Sequence, residues 1–186
     1  MSSLGSHERR LLLDVARRAM IRAVESREPI ENLPASEILS QPAGAFVTLH
    51  LRKRLRGCIG QLPSSEPLIQ VVAHCAKAAA LDDPRFSPVT ASELPEIEIE
   101  ISVLSPVEDV APNKIEVGKH GLVVSLGRQR GVLLPQVAVQ FKWTSERFLE
   151  ETLIKAGLEK DAWKDPAIRI QAFTAEVFSE QSESES

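Results

Sequence analysis

The stretch F-V-T-L-H-L-R-K-R-L-R-G-C-I-G, Phe46 to Gly60, decides how this chain folds. Two apolar runs, Phe46–Leu51 and Leu55–Gly60, flank the charged turn Arg52-Lys53-Arg54. That spacing predicts a β-hairpin. Strand side chains alternate between faces. Val47, Leu49, Leu51, Leu55 and Ile59 therefore share one apolar face, with Gly57 among them. Phe46, Thr48, His50, Arg56, Cys58 and Gly60 share the other. Symmetric pairing across the turn sets Thr48 opposite Cys58 and His50 opposite Arg56. The second face is mixed. It suits a cleft wall or a partly polar neighbour.

Outward from the hairpin, helical spacing of Leu12, Val15, Ala16, Ala19 and Ala23 predicts a helix over Glu8–Ser26. A loop follows at Pro29 and Pro34. Leu68, Val72, Cys75 and Ala79 form one stripe of a second helix over Pro67–Leu81, which makes Cys75 a buried helix residue. The segment D-D-P-R-F-S-P-V, Asp82–Val89, cannot extend that helix, because Pro84 and Pro88 lack backbone donors. Ile97–Leu104 alternates as a strand with one wet face carrying Glu96, Glu98 and Glu100. A short strand and a turn at Gly118–Gly121 lead into L-V-V-S-L. After the turn G-R-Q-R-G, the run V-L-L-P-Q-V-A-V reads as a strand that Pro135 ends or places at an edge. Trp143–Leu158 reads as a third helix. Ile168–Phe178 reads as one long strand returning to the early sheet. Hairpin-forming strands with three helices predict an α+β fold.

The 186 residues suffice for one packed core or one domain with a smaller lobe. The expected organisation is a single domain over 8–180, with disordered tails at 1–7 and 181–186. The formal charge of −4 and the absence of tyrosine argue against a broad nucleic-acid surface. The most basic patch is Arg52–Arg56. Two cysteines are too few for a disulfide scaffold, although one bridge between Cys58 and Cys75 stays open. No signal-peptide pattern or membrane-length apolar run is seen, so a cytoplasmic protein is expected.

Phosphate-loop, dinucleotide-loop, hydrolase-elbow, zincin and C-x-x-C motifs are missing. Cys58 is the best nucleophile, with Arg56 and the turn cations placed to favour its thiolate. His50, on the same face, and His120, in a glycine-flanked turn, are the candidate bases. No metal spacing is present, and no cofactor is expected. Packing alone also accounts for a cysteine between glycines. Arg85 either clamps a carboxylate or phosphate or ties its loop to Asp82 or Asp83.

F-V-T-L-H with L-R-G-C-I-G, A-x-x-D-P-R-F-x-P-V, E-L-P, V-G-x-H-G-L and L-L-P-Q-V-A together resemble the AMMECR-type domain. This is the family of the Alport-syndrome contiguous-deletion-region protein and of the bacterial AmmeMemoRadiSam system protein A. The similarity runs from Leu11 to Phe178. It implies an α+β domain with antiparallel sheets, flanking helices and two subdomains forming a cleft. It also implies Memo-type and radical-SAM partner proteins. The matching positions are Arg56, Gly57, Cys58, Gly60, Asp83, Arg85, Phe86, Gly118, His120 and Gly121. Of these, Arg56, Gly57, Gly60, Asp83, Arg85 and Phe86 are expected around a small anionic ligand.

The leading expectation is a binding or adaptor component of a Memo/radical-SAM-associated modification system. The alternative is a small enzyme using Cys58 with a nearby histidine in an inter-subdomain cleft. A third reading is weak nucleic-acid binding through Arg52–Arg56.

Overall fold

The computed structural model describes residues 4–26, 28, 33 and 36–184. The loop expected at Pro29 and Pro34 and the ends 1–3 and 185–186 lie outside the described residues. The chain forms two compact units. One comprises Met1–Leu104 with Glu176–Ser186, the other Ser105–Ala175.

The first unit contains α1 (Ser6–Glu25), the hairpin β1 (Gly44–Leu51) and β2 (Arg54–Gln61), α2 (Leu68–Leu81) and β3 (Ile97–Leu104). It closes with β8 (Ala175–Ser179) and the short helix α5 (Glu180–Ser184). Its sheet has the order β2-β1-β3-β8, and both mapped pairs, β1 with β2 and β1 with β3, are antiparallel. Val47, Leu49, Ile99 and Ile101 form one core with Leu12, Ala16, Met20, Val72 and Cys75. The period of two in the strands and of 3.6 in the helices thus meet in one layer. The other sheet face carries Thr48, His50, Cys58, Glu98 and Glu100.

The hairpin differs from the symmetric expectation. The turn holds only Arg52 and Lys53, at φ 51° and 64°. Positive φ at both central residues makes it a primed turn, whose twist matches the strands. A bulge at Leu49/His50 then sets His50 opposite Leu55, while Thr48 still faces Cys58. Arg56 is the residue that the bulge leaves without a partner. Leu55 is consequently exposed rather than core.

Of the segments expected as tails, Ser6 and His7 fall in α1 and Gln181–Ser184 in α5. Arg9 donates to Glu176 and Glu183. Arg17 donates to Glu180, whose other role is to accept from the Ile99 backbone N–H. These carboxylates hold the acidic terminal segment against α1 and β3.

The second unit contains β4 (Glu108–Asp109), β5 (Gly121–Leu126), β6 (Gln129–Leu133), α3 (Pro135–Gln140), α4 (Ser145–Lys155) and β7 (Arg169–Phe173). Its sheet order is β4-β7-β5-β6, antiparallel at each pair. Leu122, Val124, Phe148, Leu153 and Ile170 share its core. Pro135 opens α3 rather than ending a strand, because a first-turn position needs no backbone donor. Thr144 caps α4 by accepting from the Arg147 N–H. No strand forms at Ile115, where a 3-10 turn over Pro112–Lys114 stands instead. The expected long strand over Ile168–Phe178 is interrupted at Thr174. Its first part, β7, joins this sheet and its second part, β8, joins that of the first unit.

Candidate functional site

β2 is an edge strand, and its backbone at Cys58 points away from β1. The Cys58 N–H donates to Asp83 Oδ2 at 2.8 Å, and Arg85 Nη2 donates to the Cys58 carbonyl at 3.3 Å. Cys58 and Thr48 are therefore a non-hydrogen-bonded antiparallel pair, the kind in which side chains lie closest. Thr48 Oγ1 accordingly donates to Cys58 Sγ at 3.4 Å. The D-P-R-F loop covers the strand edge, and the strand turns a half-buried thiol toward Thr48.

Asp83 holds this arrangement. Its carboxylate is buried and receives the Cys58 N–H, the Arg85 N–H, Arg85 Nε at 3.0 Å and Arg85 Nη2 at 2.7 Å. Those bonds, with the Arg85 guanidinium first among them, hold its carboxyl well below the usual carboxylate range. Arg85 lies over the Phe86 ring at 5.5 Å. Its pKa is raised, chiefly by Asp83 and also by the neighbouring Cys58 side chain.

Arg56 is occupied differently. It binds Glu93 through Nε at 2.7 Å and through Nη2, and it donates to the carbonyls of Ser87 and Pro88. Arg56 thereby brings the Glu93 carboxyl down to about 2. Gly57 and Gly60 make room for neighbours. A Cβ at Gly57 would stand 2.1 Å from the Ala79 carbonyl oxygen of α2, and one at Gly60 would stand 2.1 Å from the Phe46 ring. Cys75 lies among the α2-side core, and both cysteines are free thiols. Cys58 and Cys75 belong to opposite faces of the sheet, which closes the option of a bridge.

The strand register brings His50 to the same sheet face, opposite Glu98. His120 belongs to the second unit, where its Nδ1 accepts from the Glu116 N–H at 3.1 Å. There it borders a cavity of about 210 Å³ with Asp109, Phe173 and Thr174. Gly118 takes φ 86° in the preceding turn, and Gly121 sits under Phe173. The basic patch is partly neutralised, with Arg52 on Glu96 and Arg56 on Glu93. Among the described residues, no group of three or more His, Cys, Asp or Glu is arranged to hold a metal. None of the described helices is long and apolar enough to cross a membrane.

Sequence reading placed Thr48 opposite Cys58 but gave it no role. It assigned nothing to Glu93 and put Glu100 on the wet face of a strand with Glu96 and Glu98. Glu93 stands in the E-L-P block that carries part of the resemblance. Glu100 is pushed up by burial, with the Glu98 charge adding to this and His50 opposing it.

Two antiparallel sheets with flanking helices, and a glycine-bracketed cysteine pinned by a D-P-R-F loop, define a mixed α+β class. The AMMECR1 family model matches residues 13–178, and the chain belongs to that family. A protein of Thermofilum pendens is 40% identical over 97% of this chain and 93% of its own length. One of Thermococcus kodakarensis is 42% identical over 91% and 89%. The crystal structure of uncharacterized protein PH0010 from Pyrococcus horikoshii superposes with a TM-score of 0.83 at 39% identity, over 93% of this chain and 91% of that one.

Proposed function

We propose that the chain handles a small electrophilic ligand through the Cys58 sulfur. The carrying observation is that one half-buried sulfur accepts from Thr48 and neighbours the Arg85 guanidinium. The reaction class is R–X + HS–Cys58 → R–S–Cys58 + HX, in which the Sγ–C bond forms and the thiol proton leaves with X. The exposed Arg85 side chain suits a carboxylate or phosphate on the ligand. Arg56 and Asp83 spend their hydrogen bonds on the scaffold and act by fixing the loop and strand.

The test is the rate of native-state alkylation by iodoacetamide against pH, with the two cysteines resolved by peptide mass. Cys58 is expected to label fast in the folded protein, and Arg85→Gln to slow it several-fold. Cys58 labelling that waits for unfolding sinks the reading.

A second reading, docking of Memo-type and radical-SAM partners, draws on the second unit. Phe141 and Val139 are exposed there, and Phe141 stacks on Trp143 with centroids 5.1 Å apart. Calorimetric titration with purified Memo-type and radical-SAM proteins tests it, because Phe141→Ser weakens a complex seated there. No heat of binding for either protein removes the reading.

A further inference from the structure

We propose that the second unit carries a binding site for a small organic cation, an alkylammonium ion, in the cavity between α4 and the 3-10 turns Pro112–Lys114 and Ala162–Lys164. The cavity measures about 550 Å³ and is lined by Pro112, Ser145, Glu146, Leu149, Glu150 and Trp163. That volume falls in the range of sites that take small ligands. All of these residues belong to the second unit, so the site stands or falls without Cys58.

Helical spacing builds one wall. Ser145 and Leu149, like Glu146 and Glu150, stand one turn apart on α4, so the four make a continuous helix face. Leu149 is buried and Glu150 is half-buried. Trp163 adds an aromatic wall that is left 41% exposed. Its turn is fixed by backbone bonds: Ala162 N–H donates to the Glu159 carbonyl, Lys164 N–H to Asp161 and Asp165 N–H to Ala162. The walls are therefore in place before a ligand arrives.

The charge of the rim selects a cation. Among the described residues no Lys, Arg or His side chain lines the cavity, whereas two carboxylates do. Glu146 stands in the first turn of α4 and answers the partial positive charge of the helix start. Glu150 accepts from Arg147 Nη1 at 3.0 Å, but the same guanidinium also pairs with Glu151. One guanidinium thus serves two acids, and a negative charge is left over. The Trp163 ring supplies a second attraction, because the face of an indole draws cations. It already holds one: Lys164 Nζ, itself paired with Asp161, lies 5.6 Å from the ring centroid without lining the cavity. An alkylammonium ion matches both features, its stem on Leu149, Pro112 and the indole and its head toward Glu150.

The test titrates the full chain with hexylammonium chloride, and with hexanol and sodium hexanoate at matched ionic strength. The readout is the nitrogen-15 and proton shifts of the Asn113 and Ser145 amides and the Trp163 indole N–H. Hexylammonium is expected to shift all three saturably below about 50 mM, the affinity range of so small a ligand. Hexanol and hexanoate are expected to bind about fivefold more weakly or less. Glu150→Gln and Trp163→Leu, the latter read at Asn113 and Ser145, are each expected to weaken hexylammonium about two- to fivefold, the size of an exposed ion pair or cation–π contact. Equal affinity for hexanol overturns the proposal, because the stem alone then accounts for binding. Unmoved signals with hexylammonium overturn it as well. Tighter binding of N-acetyl-lysine methylamide than of hexylammonium assigns the pocket to a lysine side chain of another protein and overturns the free amine as its occupant.

Discussion

The two cysteines lie on opposite sides of one sheet, and the contrast between them separates packing from chemistry. Cys75 projects from α2 into the core, its sulfur 3.7 Å from the Ala45 carbonyl. Burial there, followed by the nearby Glu66 and Cys58 charges, pushes its thiol up to about 12. Cys58 projects from the edge strand, half-buried, with a hydroxyl donor and a guanidinium beside it. The residue type is the same. The sheet face determines whether sulfur fills space or meets a ligand.

The largest expected effect tests the boundary between these faces. Gly57→Val drives a side chain into the Ala79 carbonyl, which belongs to helix backbone and cannot rotate away. A loss of about 3 kcal/mol or more is expected from such overpacking, read from the denaturant midpoint. An unchanged midpoint breaks the assignment of Gly57 to the α2 side. It would remove the reason that Cys58, one residue later, points the other way.

Asp83 is next. Asp83→Asn replaces one acceptor oxygen with a donor group facing backbone and guanidinium donors, at an expected cost of about 2 kcal/mol at neutral pH. The folded carboxyl titrates below its unfolded value. Its contribution is therefore fully present above the ordinary aspartate range, about 3.9, and is lost as pH falls toward the folded value. The stability difference between the wild type and Asp83→Asn should narrow below about pH 4. A pH-independent difference would mean that the carboxylate charge is not what holds the Cys58 edge.

Much of this frame was legible in the sequence because it follows from period. The alternation in Phe46–Leu51 and Leu55–Gly60 separated core from site, and the four-three-four stripe put Cys75 inside. Three features were not legible. The bulge at Leu49/His50 depends on a two-residue turn in which Arg52 and Lys53 take positive φ, and nothing in their side chains advertises that. Pro135 marks either a strand end or a helix start, and only the tertiary partner decides. The break at Thr174 sends adjacent strands to different sheets, whereas local alternation continues unbroken through it. At the site, Cys58 and Arg85 stood out as residue types. Thr48 acquires meaning only from cross-strand register, a long-range property that one sequence does not display.

The smallest expected effect is the most direct contrast between the two thiols. Cys75→Ser places a hydroxyl among Val72, Ala76 and Ala79, where the Ala45 carbonyl beside the sulfur already belongs to the sheet. A cost of about 1–2 kcal/mol is expected for burying that poorly served polar group. Serine at position 58 meets Thr48 and Arg85, both able to donate to its oxygen, and loses little burial. Its stability should stay within about 0.5 kcal/mol of the wild type. The ratio of the two losses matters more than either value, since both variants make the same atomic exchange of sulfur for oxygen. If Cys58→Ser costs as much as Cys75→Ser, the sulfur at 58 is packed as a core atom, and the polar face of the sheet stabilises the fold instead of serving a ligand. If the costs separate as expected, stability gives no reason for sulfur at 58, and its chemistry becomes the reason to keep it.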